Sequence, residues 1–318
     1  MYYIGVDLGG TNISVGILNG DYDIIAKERI KTNVPRGESE ICDDIAGLIF
    51  NMLNKLNISI EDVKNIGIGS PGAVNIEKGV VEYSPNLYFH NWDLKGMMVS
   101  RLKKQIFIEN DANAAAYGEY IAGNAGGVDS AIIITIGTGI GGGAILNGKI
   151  YHGFNYNGVE LGHMVIYQNG RECTCGRKGC FEQYASAKGL VNTTKIALTE
   201  CKEETLIWDL IENKVENINP RTAFKAMRLG DKLGEKIVDT YIADLSCGIT
   251  NIINIFQPEI LCIGGGVSNE GEYLMKPLIE NVSKNRYSKN SSRQTEIKVA
   301  RLGNDAGIIG AALLNLLY

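Results

Sequence analysis

The sequence lacks long apolar runs, and it lacks an excess of positive charge. No apolar stretch reaches about 18 residues, the length that a membrane-spanning helix needs. The 318 residues carry 31 Lys and Arg against 36 Asp and Glu, which gives a net charge of −5. This balance leaves no broad basic surface on which a nucleic acid would bind. We therefore expect neither a membrane nor a nucleic acid among the partners of this protein.

Proline and low-complexity sequence are also scarce. The chain has only 6 Pro, and no Pro-rich linker separates its parts. With 45% hydrophobic residues, a chain of this length can bury two cores, so two domains are expected. A strand pattern starts at Tyr2, so we expect no targeting segment before it. Seven cysteines, an odd count, favour a reducing compartment and hence a cytoplasmic location.

The sequence supports neither of two common nucleotide-binding motifs. The sequence contains no Gly-x4-Gly-Lys-Ser/Thr pattern, which excludes a P-loop. The spacing of Gly137, Gly139 and Gly142 matches the dinucleotide fingerprint, but that fingerprint must open a helix. Here it precedes a short strand pattern and an Asn-Gly turn at 147–148. A nicotinamide-dependent enzyme is therefore disfavoured.

What the sequence does contain is an alternation of strand and helix patterns, which is typical of an α/β fold. Strands are predicted at residues 2–6, 13–18, 24–30, 63–68, 106–108, 131–136, 144–146, 259–263 and 297–300. Helices are predicted at residues 38–56, 184–198, 205–211, 223–229, 231–256, 273–282 and 306–317, with a further helix start after residue 111.

The two halves of the chain begin alike. The tetrapeptide Ile-Leu-Asn-Gly occurs at 17–20 and again at 145–148, so the offset is 145 − 17 = 128. At this offset a strand, a Gly-rich turn, a second strand and an Asn-Gly turn all align, and Gly9 falls on Gly137. We infer an internal repeat of two strand–turn–strand units. Each Asn-Gly pair predicts a type I′ hairpin turn.

Three predicted strands end in Gly-rich turns, at 9–10, 137–143 and 264–266. Backbone N–H groups that no side chain covers can approach phosphate oxygens closely. Three such turns therefore indicate a nucleotide held between the domains. Asp7 precedes the first turn, and its carboxylate could hold Mg²⁺ through water, because bound Mg²⁺ keeps several waters. Thr135 at the equivalent place in the repeat indicates that the turn itself does not need the acid.

A metal-binding pattern lies between residues 160 and 182. Four metal-ligating side chains occur there: His163, Cys173, Cys175 and Cys180. A Cys3His set suits a closed tetrahedral structural zinc site. A disulfide is the alternative, and the expected reducing compartment disfavours it. A metal that orders this loop would hold Glu160 and Glu182 near each other, where they could accept hydrogen bonds from a polyhydroxyl ligand.

Asp111 follows Glu109 and Asn110 at the end of a predicted strand. Either Asn110 or Asp111 could cap the helix that follows, while the other faces a ligand. At the carboxyl end of a strand, between two domains, an aspartate could accept the proton of an attacking hydroxyl group. Loops that contain Gly72 and Asn86 could reach the same place, but on their own they indicate only turns.

Together these motifs resemble the ROK family (repressors, open reading frames, sugar kinases) of the actin-like ATPase superfamily. The resemblance covers the whole chain and rests on residues 7–11, 70–72, 86–87 with Trp92, 109–111, 137–143, 160–163 and 173–182. The combination of the cysteine loop with Glu-x-Gly-His is highly specific.

The resemblance implies an α/β fold of two actin-like, ribonuclease H-like domains around a cleft. The small N-terminal domain would comprise residues 1–117, with a C-terminal helix at 305–318 packed back on it. The large domain would comprise residues 118–304 and carry the zinc loop and the adenosine side. A homodimer is also implied, with a tetramer as the alternative.

The resemblance further implies ATP and Mg²⁺ as ligands, beside structural Zn²⁺. The residues expected to bind ATP and Mg²⁺ are Asp7, Gly9, Gly10, Thr11, Asn12, Gly137, Thr138, Gly139, Gly265 and Gly266. Those expected to bind sugar hydroxyl groups are Gly72, Asn86, Asn110, Asp111, Glu160, His163 and Glu182. Asp111 would be the base that takes the proton from the sugar 6-hydroxyl, and His163 would both ligate zinc and contact the sugar.

The implied activity is that of an ATP-dependent glucokinase. Kinases of N-acetylglucosamine, N-acetylmannosamine, allose or fructose remain alternatives, and the cysteine loop favours glucose or N-acetylglucosamine. Polyphosphate as the phosphoryl donor has no basic track to support it. A sugar-responsive repressor of the same family is disfavoured, because its helix-turn-helix domain would precede the first Gly-rich motif, which here starts at Asp7.

Overall fold

The structure is a computed structural model that describes residues 1–317, and it contains three sheets. Its strands are β1 Tyr2–Leu8, β2 Asn12–Leu18, β3 Ile24–Lys31, β4 Val63–Ser70, β5 Ala73–Asn75, β6 Val80–Ser84, β7 Phe89–Trp92, β8 Ile106–Asn110, β9 Ser130–Ile136, β10 Ile140–Leu146, β11 Lys149–Ile150, β12 Ile260–Gly264 and β13 Glu296–Val299.

The helices lie mostly between and after these strands. They are α1 Glu38–Lys55, α2 Leu94–Leu102, α3 Asp111–Ala122, α4 Glu182–Ala185, α5 Ala187–Glu200, α6 Ile207–Leu210, α7 Thr222–Arg228, α8 Lys232–Phe256, α9 Glu272–Asn285 and α10 Ala306–Ala312. Among residues 1–317, no helix has both the length and the apolar character to cross a membrane.

The two large sheets have the same strand order. The first runs β3-β2-β1-β4-β8, and the second runs β11-β10-β9-β12-β13. In the first sheet β1 is antiparallel to β2 and parallel to β4, which places the carboxyl ends of β1, β4 and β8 at one edge. The third sheet is an antiparallel meander, β5-β6-β7.

The chain divides into two compact units whose segments alternate along the sequence. Unit 1 comprises Met1–Ile133, Gly143–Val159 and the chain from Ala300 onward. Unit 2 comprises Ile134–Gly142 and Glu160–Val299. The domain boundaries expected from the sequence, at 117/118 and 304/305, stay predictions.

The core of unit 1 forms where α1 packs on the first sheet. The predicted stripe of apolar residues on α1 is buried as expected, with Ile41, Ile45 and Ile49 all fully inaccessible to solvent. Their partners are the buried side chains of β1, β2 and β4, such as Ile4 and Ile66. The apolar residues that recur every 3.6 positions on the helix therefore pack on the alternating inward residues of the strands, and together they form one apolar layer.

The last helix of the described chain, α10, packs against β1, β4 and α3 of the same unit. It approaches so closely that a Cβ atom on Gly5 would collide with the backbone oxygen of Ile308. A Cβ on Gly67 would collide with the backbone oxygen of Ala311 in the same way. These two glycines in adjacent strands let the helix backbone lie directly on the sheet.

The long helix α8 runs through unit 2. Asp231 caps its N-terminus by accepting a hydrogen bond from the backbone N–H of Gly234 at 2.7 Å. The helix contacts α4, α5, α7 and α9 and buries its apolar face against them. The predicted helix at 231–256 is thus confirmed almost to the residue.

Other expectations from the sequence are wrong in detail. The predicted helix at 184–198 is two helices, because Ser186 adopts an extended conformation and caps α5. The predicted helix at 306–317 ends at Ala312 and is followed by a short 3₁₀ turn. The meander β5-β6-β7 and helix α2 were not predicted at all.

Candidate functional site

The strand–turn–strand repeat is present at the predicted offset. β1 and β9 both span seven residues, and so do β2 and β10, with every boundary shifted by this same offset. The Gly-rich turn expected at 137–143 is wrong in its second half, because β10 starts at Ile140. Gly143 therefore lies within the strand, where a Cβ atom would collide with that of Ala116.

The first Gly-rich turn connects β1 to β2. The backbone N–H of Gly9 donates to the oxygen of Asn12 at 2.9 Å. Thr32, which follows β3, fastens the turn from one side, since its hydroxyl donates to the oxygen of Gly9 at 2.6 Å and its N–H to that of Thr11 at 3.0 Å. A Cβ atom on Gly10 would lie 2.8 Å from the oxygen of Asn86. A residue expected to bind phosphate thus adjoins one expected to bind sugar.

Asp7 stands at the end of β1 with its carboxyl group against Gly307 of α10. Burial raises the pKa of this carboxyl group, and the positive charge of Arg29 lowers it in part. Among residues 1–317 no side chain or backbone group donates a hydrogen bond to it. An ionised carboxylate in this place is stabilised by a bound cation, so the position fits the expected Mg²⁺ site.

The junction between β8 and α3 shows which of Asn110 and Asp111 caps the helix. Asn110 is the N-cap, because its side-chain oxygen accepts hydrogen bonds from the N–H groups of Ala112 at 2.9 Å and Asn113 at 3.1 Å. Asp111 is the first residue of the helix. The positive end of a 12-residue helix favours a negative charge there.

The Gly72 loop is fastened to the same junction. The side-chain N–H of Asn110 donates to the oxygen of Gly72 at 3.0 Å. Gly72 has a φ of 103°, and a Cβ atom there would collide with the oxygen of Tyr83. Only glycine fits this position. Because Asn110 has used its oxygen and one of its two amide hydrogens, its second N–H is what remains for a sugar hydroxyl group.

Glu109 and His152 were not predicted to matter, yet they form a buried pair beside Asp111. Oε2 of Glu109 lies 2.7 Å from Nε2 of His152, and the Glu109 side chain is only 1% exposed. In the sequence Glu109 was only the residue before Asn110, and His152, unlike His163, belonged to no spacing motif. Because the two residues lie far apart in the sequence, no local pattern could join them.

The second Gly-rich turn connects β9 to β10 in unit 2. The N–H of Gly137 donates to the oxygen of Gly139 at 2.9 Å, and the oxygen of Gly137 accepts from the N–H of Ala187 at 2.9 Å. Glu182 reaches the same turn, where its carboxylate accepts a hydrogen bond from the N–H of Ile140 at 2.9 Å. A residue expected to bind sugar therefore also supports the turn expected to bind phosphate.

The third Gly-rich turn follows β12. Gly265 has a φ of 93°, and a Cβ atom there would collide with the backbone of Ile136. Next to it lies a cavity of about 530 Å³. Three predicted ATP-binding residues line this cavity, namely Gly137, Thr138 and Gly266. Several other lining residues carried no sequence signal: Asn219, Pro220, Arg221, Lys225 and Glu270.

The four predicted metal ligands come together in unit 2. Their ligand atoms all lie within 4.8 Å of one another. Sγ of Cys175 lies 3.6 Å from Sγ of Cys180, and Sγ of Cys173 lies 3.6 Å from Nδ1 of His163. Zinc–sulfur bonds of about 2.3 Å in a tetrahedron place sulfur atoms roughly 3.8 Å apart. The cluster therefore fits a zinc ion, and Nε2 is the ring nitrogen of His163 left for another partner.

The thiols of the cluster differ in their pKa values. Burial alone would raise the pKa of Cys173, but hydrogen bonds from Cys175, Cys180 and His163 bring it down to about 7. Burial, together with the neighbouring thiols Cys175 and Cys173, raises the pKa of Cys180 to about 12. Because zinc binds thiolates, metal binding at neutral pH would release at least the Cys180 proton.

Two side chains fasten the cysteine loop to the helices of unit 2. Arg171 donates to the oxygen of Gln183 at 2.9 Å and to the hydroxyl of Thr193 at 3.0 Å. The hydroxyl of Tyr167 donates to Asp244 of α8 at 2.6 Å, which raises the pKa of Tyr167 to about 12. The loop thus has supports of its own besides the metal ligands.

Glu160 and Val159 lie where the chain enters the Glu-Leu-Gly-His segment. Glu160 is exposed and precedes a single 3₁₀ turn, Leu161–His163. Val159 has a φ of 65°. A β-branched residue in the left-handed region is strained, so the backbone that presents Glu160 is held in an unfavourable conformation.

Comparison with known proteins gives full-length similarity. The profile of the ROK family matches residues 3–316. A glucokinase of Thermotoga maritima is 38% identical over 97% of this chain and 95% of that protein, and one of Halalkalibacterium halodurans is 35% identical over 98% and 94%. The crystal structure of a ROK family glucokinase from Streptomyces griseus in complex with glucose and AMPPNP has a TM-score of 0.80 at 32% identity and covers 99% of both chains. The predicted α/β fold class with two sheet-based domains is confirmed.

Proposed function

The chain belongs to the ROK family, and from that premise we propose that it is an ATP-dependent glucokinase. It would transfer the γ-phosphoryl group of ATP to the 6-hydroxyl of glucose. The observation that carries the proposal is the similarity, over 99% of both chains, to a ROK glucokinase that binds glucose and AMPPNP.

The nucleotide would bind at the three Gly-rich turns. The N–H groups of Gly9 and Gly137 close their turns by hydrogen bonds, and the N–H groups of Gly10 and Gly139 in the same turns would donate to phosphate oxygens. The cavity beside Gly266, of about 530 Å³, is large enough to receive the adenosine. Thr11, Asn12, Thr138 and Gly265 complete the set of residues assigned to ATP.

Mg²⁺, once bound, would neutralise charge on the phosphoryl oxygens. Asp7 is the residue assigned to hold it, through water. The raised pKa and the absence of a hydrogen-bond donor to its carboxyl group within residues 1–317 support this role.

Asp111 is assigned as the base. Phosphoryl transfer passes through a loose transition state, so the protein mainly positions the reactants and neutralises charge. Asp111 would orient the sugar 6-hydroxyl and take its proton late in the transfer. Asp111 lies in the first turn of α3, whose positive end favours a negative charge there.

The remaining sugar contacts are assigned to Gly72, Asn86, Asn110, Glu160, His163 and Glu182. Zinc would be structural and would shape this loop. Because Nδ1 of His163 faces the metal ligands, Nε2 would contact the sugar. Glu182 already accepts a hydrogen bond from Ile140 through one oxygen and has its second oxygen for a hydroxyl group.

The cytoplasmic location and the homodimer remain expectations of the family resemblance. Light scattering on the purified protein would distinguish a dimer from a tetramer.

The test is a coupled assay of ADP release with glucose, N-acetylglucosamine, N-acetylmannosamine, mannose, allose and fructose. We expect the highest kcat/KM with glucose and little ADP release without sugar. A higher kcat/KM with another sugar would leave a kinase of this family with a different substrate. If no sugar accelerated ADP release, the proposed activity would be wrong.

A further inference from the structure

We infer that Glu109 and His152 form a positioning pair for the site of phosphoryl transfer. This inference rests on the proposed function, because it concerns the placement of Asp111. Neither residue is assigned to contact ATP, sugar or metal. Both belong to unit 1, and they would act through the residues that they hold.

One oxygen of the Glu109 carboxylate organises the start of α3. Oε1 accepts a hydrogen bond from the N–H of Asn110 at 2.8 Å and another from the side chain of Asn113 at 3.1 Å. These two residues flank Asp111 and Ala112 in the first turn of the helix. The carboxylate therefore holds the backbone just before the proposed base and a side chain just after it.

The other oxygen holds a different part of the chain. Oε2 lies 2.7 Å from Nε2 of His152, a distance typical of a strong, charge-assisted hydrogen bond. His152 belongs to the segment 151–159, which follows β11 and runs directly into Glu160. The ring of Tyr156 packs edge-on against His152, with 6.2 Å between the ring centroids. One buried carboxylate thus joins the β8–α3 junction to the segment that leads to Glu160.

Stability alone does not account for a carboxylate in this place. A buried polar pair costs desolvation free energy, and apolar residues of similar volume often serve stability as well or better. A carboxylate with several directed hydrogen bonds does what apolar packing cannot, because it fixes the groups that it contacts in orientation as well as in distance.

Glu119, on the same helix, provides a matched comparison. It is equally buried, at 1% exposure. Its carboxylate accepts hydrogen bonds from the N–H groups of Asn124 at 3.2 Å and Arg301 at 3.0 Å, and neither residue belongs to the β8–α3 junction or to the segment 151–159. Glu119 should therefore matter for stability and not for the placement of the base.

The experiment compares His152→Ala, His152→Gln, Glu109→Gln and Glu119→Gln. For His152→Ala and Glu109→Gln we expect kcat with glucose to fall about 10- to 100-fold, the effect of misplacing a reacting group by about 1 Å. The KM for ATP should change little. His152→Gln, whose amide can donate a similar hydrogen bond, should recover most of the lost kcat. Glu119→Gln should lower the Tm and leave kcat within about twofold.

Hydrogen exchange provides a readout that does not depend on activity. In His152→Ala and Glu109→Gln, the amides of Ala112 and Asn113 and those of 153–159 should exchange faster, whereas in Glu119→Gln they should not. Unchanged exchange at both places, or an unchanged kcat in His152→Ala, would overturn the inference. Wild-type protein that phosphorylates no sugar would overturn the proposed function, and the exchange data would still decide whether the pair joins the two segments.

Discussion

The two strand–turn–strand units can be compared residue by residue, since their strands start and end at one constant offset. Both units lie in sheets of the same strand order, and both turns close by a hydrogen bond from the first glycine, Gly9 or Gly137. Their strands therefore form the same frame, although the acceptor of the closing hydrogen bond is Asn12 in the first turn and Gly139, not the matching Ile140, in the second. They differ in what surrounds the frame, which indicates that single side chains, and not the repeated fold, divide the chemical work.

The surroundings differ in charge and in support. The first unit carries Asp7 at the end of its strand, and the second carries Thr135 at the equivalent place. The first turn is fastened by Thr32, which follows a neighbouring strand, whereas the second is fastened by Glu182 and Ala187, which follow the cysteine loop. The first strand–turn–strand unit thus carries the carboxylate proposed to hold Mg²⁺, and the second joins its turn to residues that follow the predicted metal ligands.

The largest effect should come from Asp111→Asn, which removes the proposed base. Asp111 lies in unit 1, together with the first strand–turn–strand unit. We expect kcat with glucose to fall about 10²- to 10⁴-fold, the usual contribution of general base catalysis, while the KM values for ATP and glucose change little. Steady-state kinetics would measure this. Asp93→Asn is the control, because Asp93 caps α2 in the same unit and Asn caps equally well. If Asp111→Asn had a kcat close to that of Asp93→Asn, Asp111 would not be the base.

The next effect tests the comparison at its matched positions. Asp7→Asn should reduce kcat/KM for ATP about 10²-fold, because it removes the charge that would hold Mg²⁺, whereas Thr135→Val should have almost no effect. Equal losses of kcat/KM for ATP in Asp7→Asn and Thr135→Val would mean that the charge of Asp7 does not distinguish the two strand–turn–strand units.

Asp7→Asn should also stabilise the ligand-free protein. Because burial raises the pKa of Asp7, the folded chain binds this proton more tightly than the unfolded chain. The free energy of unfolding therefore falls as pH rises from the ordinary pKa to the raised one, and the ionised carboxylate remains a cost at pH 7. A Tm measured at pH 7 should be higher for Asp7→Asn than for the wild type, with little difference near pH 3. A lower Tm at pH 7 would contradict this.

A smaller effect should follow from loss of the metal in the second region. We expect metal analysis to find about one zinc per chain. Cys175→Ser should lose zinc and raise the KM for glucose about tenfold, with a smaller change in kcat. Cys247→Ser, at an exposed cysteine of α8 outside the cluster, is the matched control. Full sugar affinity in metal-free protein would show that the loop keeps its shape without zinc.

The smallest effect concerns the two Asn-Gly turns. Asn147 and Gly148 have φ values of 53° and 72°, as a type I′ turn requires. Gly20 has no left-handed φ; Tyr22 takes the left-handed conformation at 68° in a longer turn that closes between Asn19 and Asp23. Gly148→Ala should therefore lower the free energy of unfolding by about 1 kcal/mol. Gly20→Ala should leave the free energy of unfolding nearly unchanged. Urea titration would measure both variants, and equal free energies of unfolding for Gly148→Ala and Gly20→Ala would contradict this prediction.

These turns also illustrate what could be predicted from the sequence. The repeated pattern predicted the paired strands correctly, because local periodicity decides them. It was right about the hairpin at 147–148 and wrong about the one at 19–20. The same dipeptide is the whole turn between the paired residues Leu146 and Lys149, but only the start of a longer connection between the paired residues Leu18 and Ile24.

The candidate site also has features that the sequence predicts and features that it does not. The metal ligands His163 and Cys173 were predictable because they fall in one short segment with a characteristic spacing. The support of the Gly137 turn by Glu182 and the pairing of Glu109 with His152 were not, because each joins residues that are distant in the sequence. Such contacts depend on tertiary packing, which a single sequence does not encode in any local pattern.

The close packing of α10 on β1 and β4 has a consequence for synthesis. The first segment of unit 1 runs from Met1 to Ile133, but the last helix of that unit begins only at Ala306. At about 5–20 residues per second, a ribosome needs roughly 9–35 s to make the interval between them. Unit 2 ends at Val299, so it can be completed first although it starts later. During this time the sheet surface around Gly5 and Gly67 has no helix to cover it. In a growing cell, this surface is where a nascent chain of this protein would most need a chaperone.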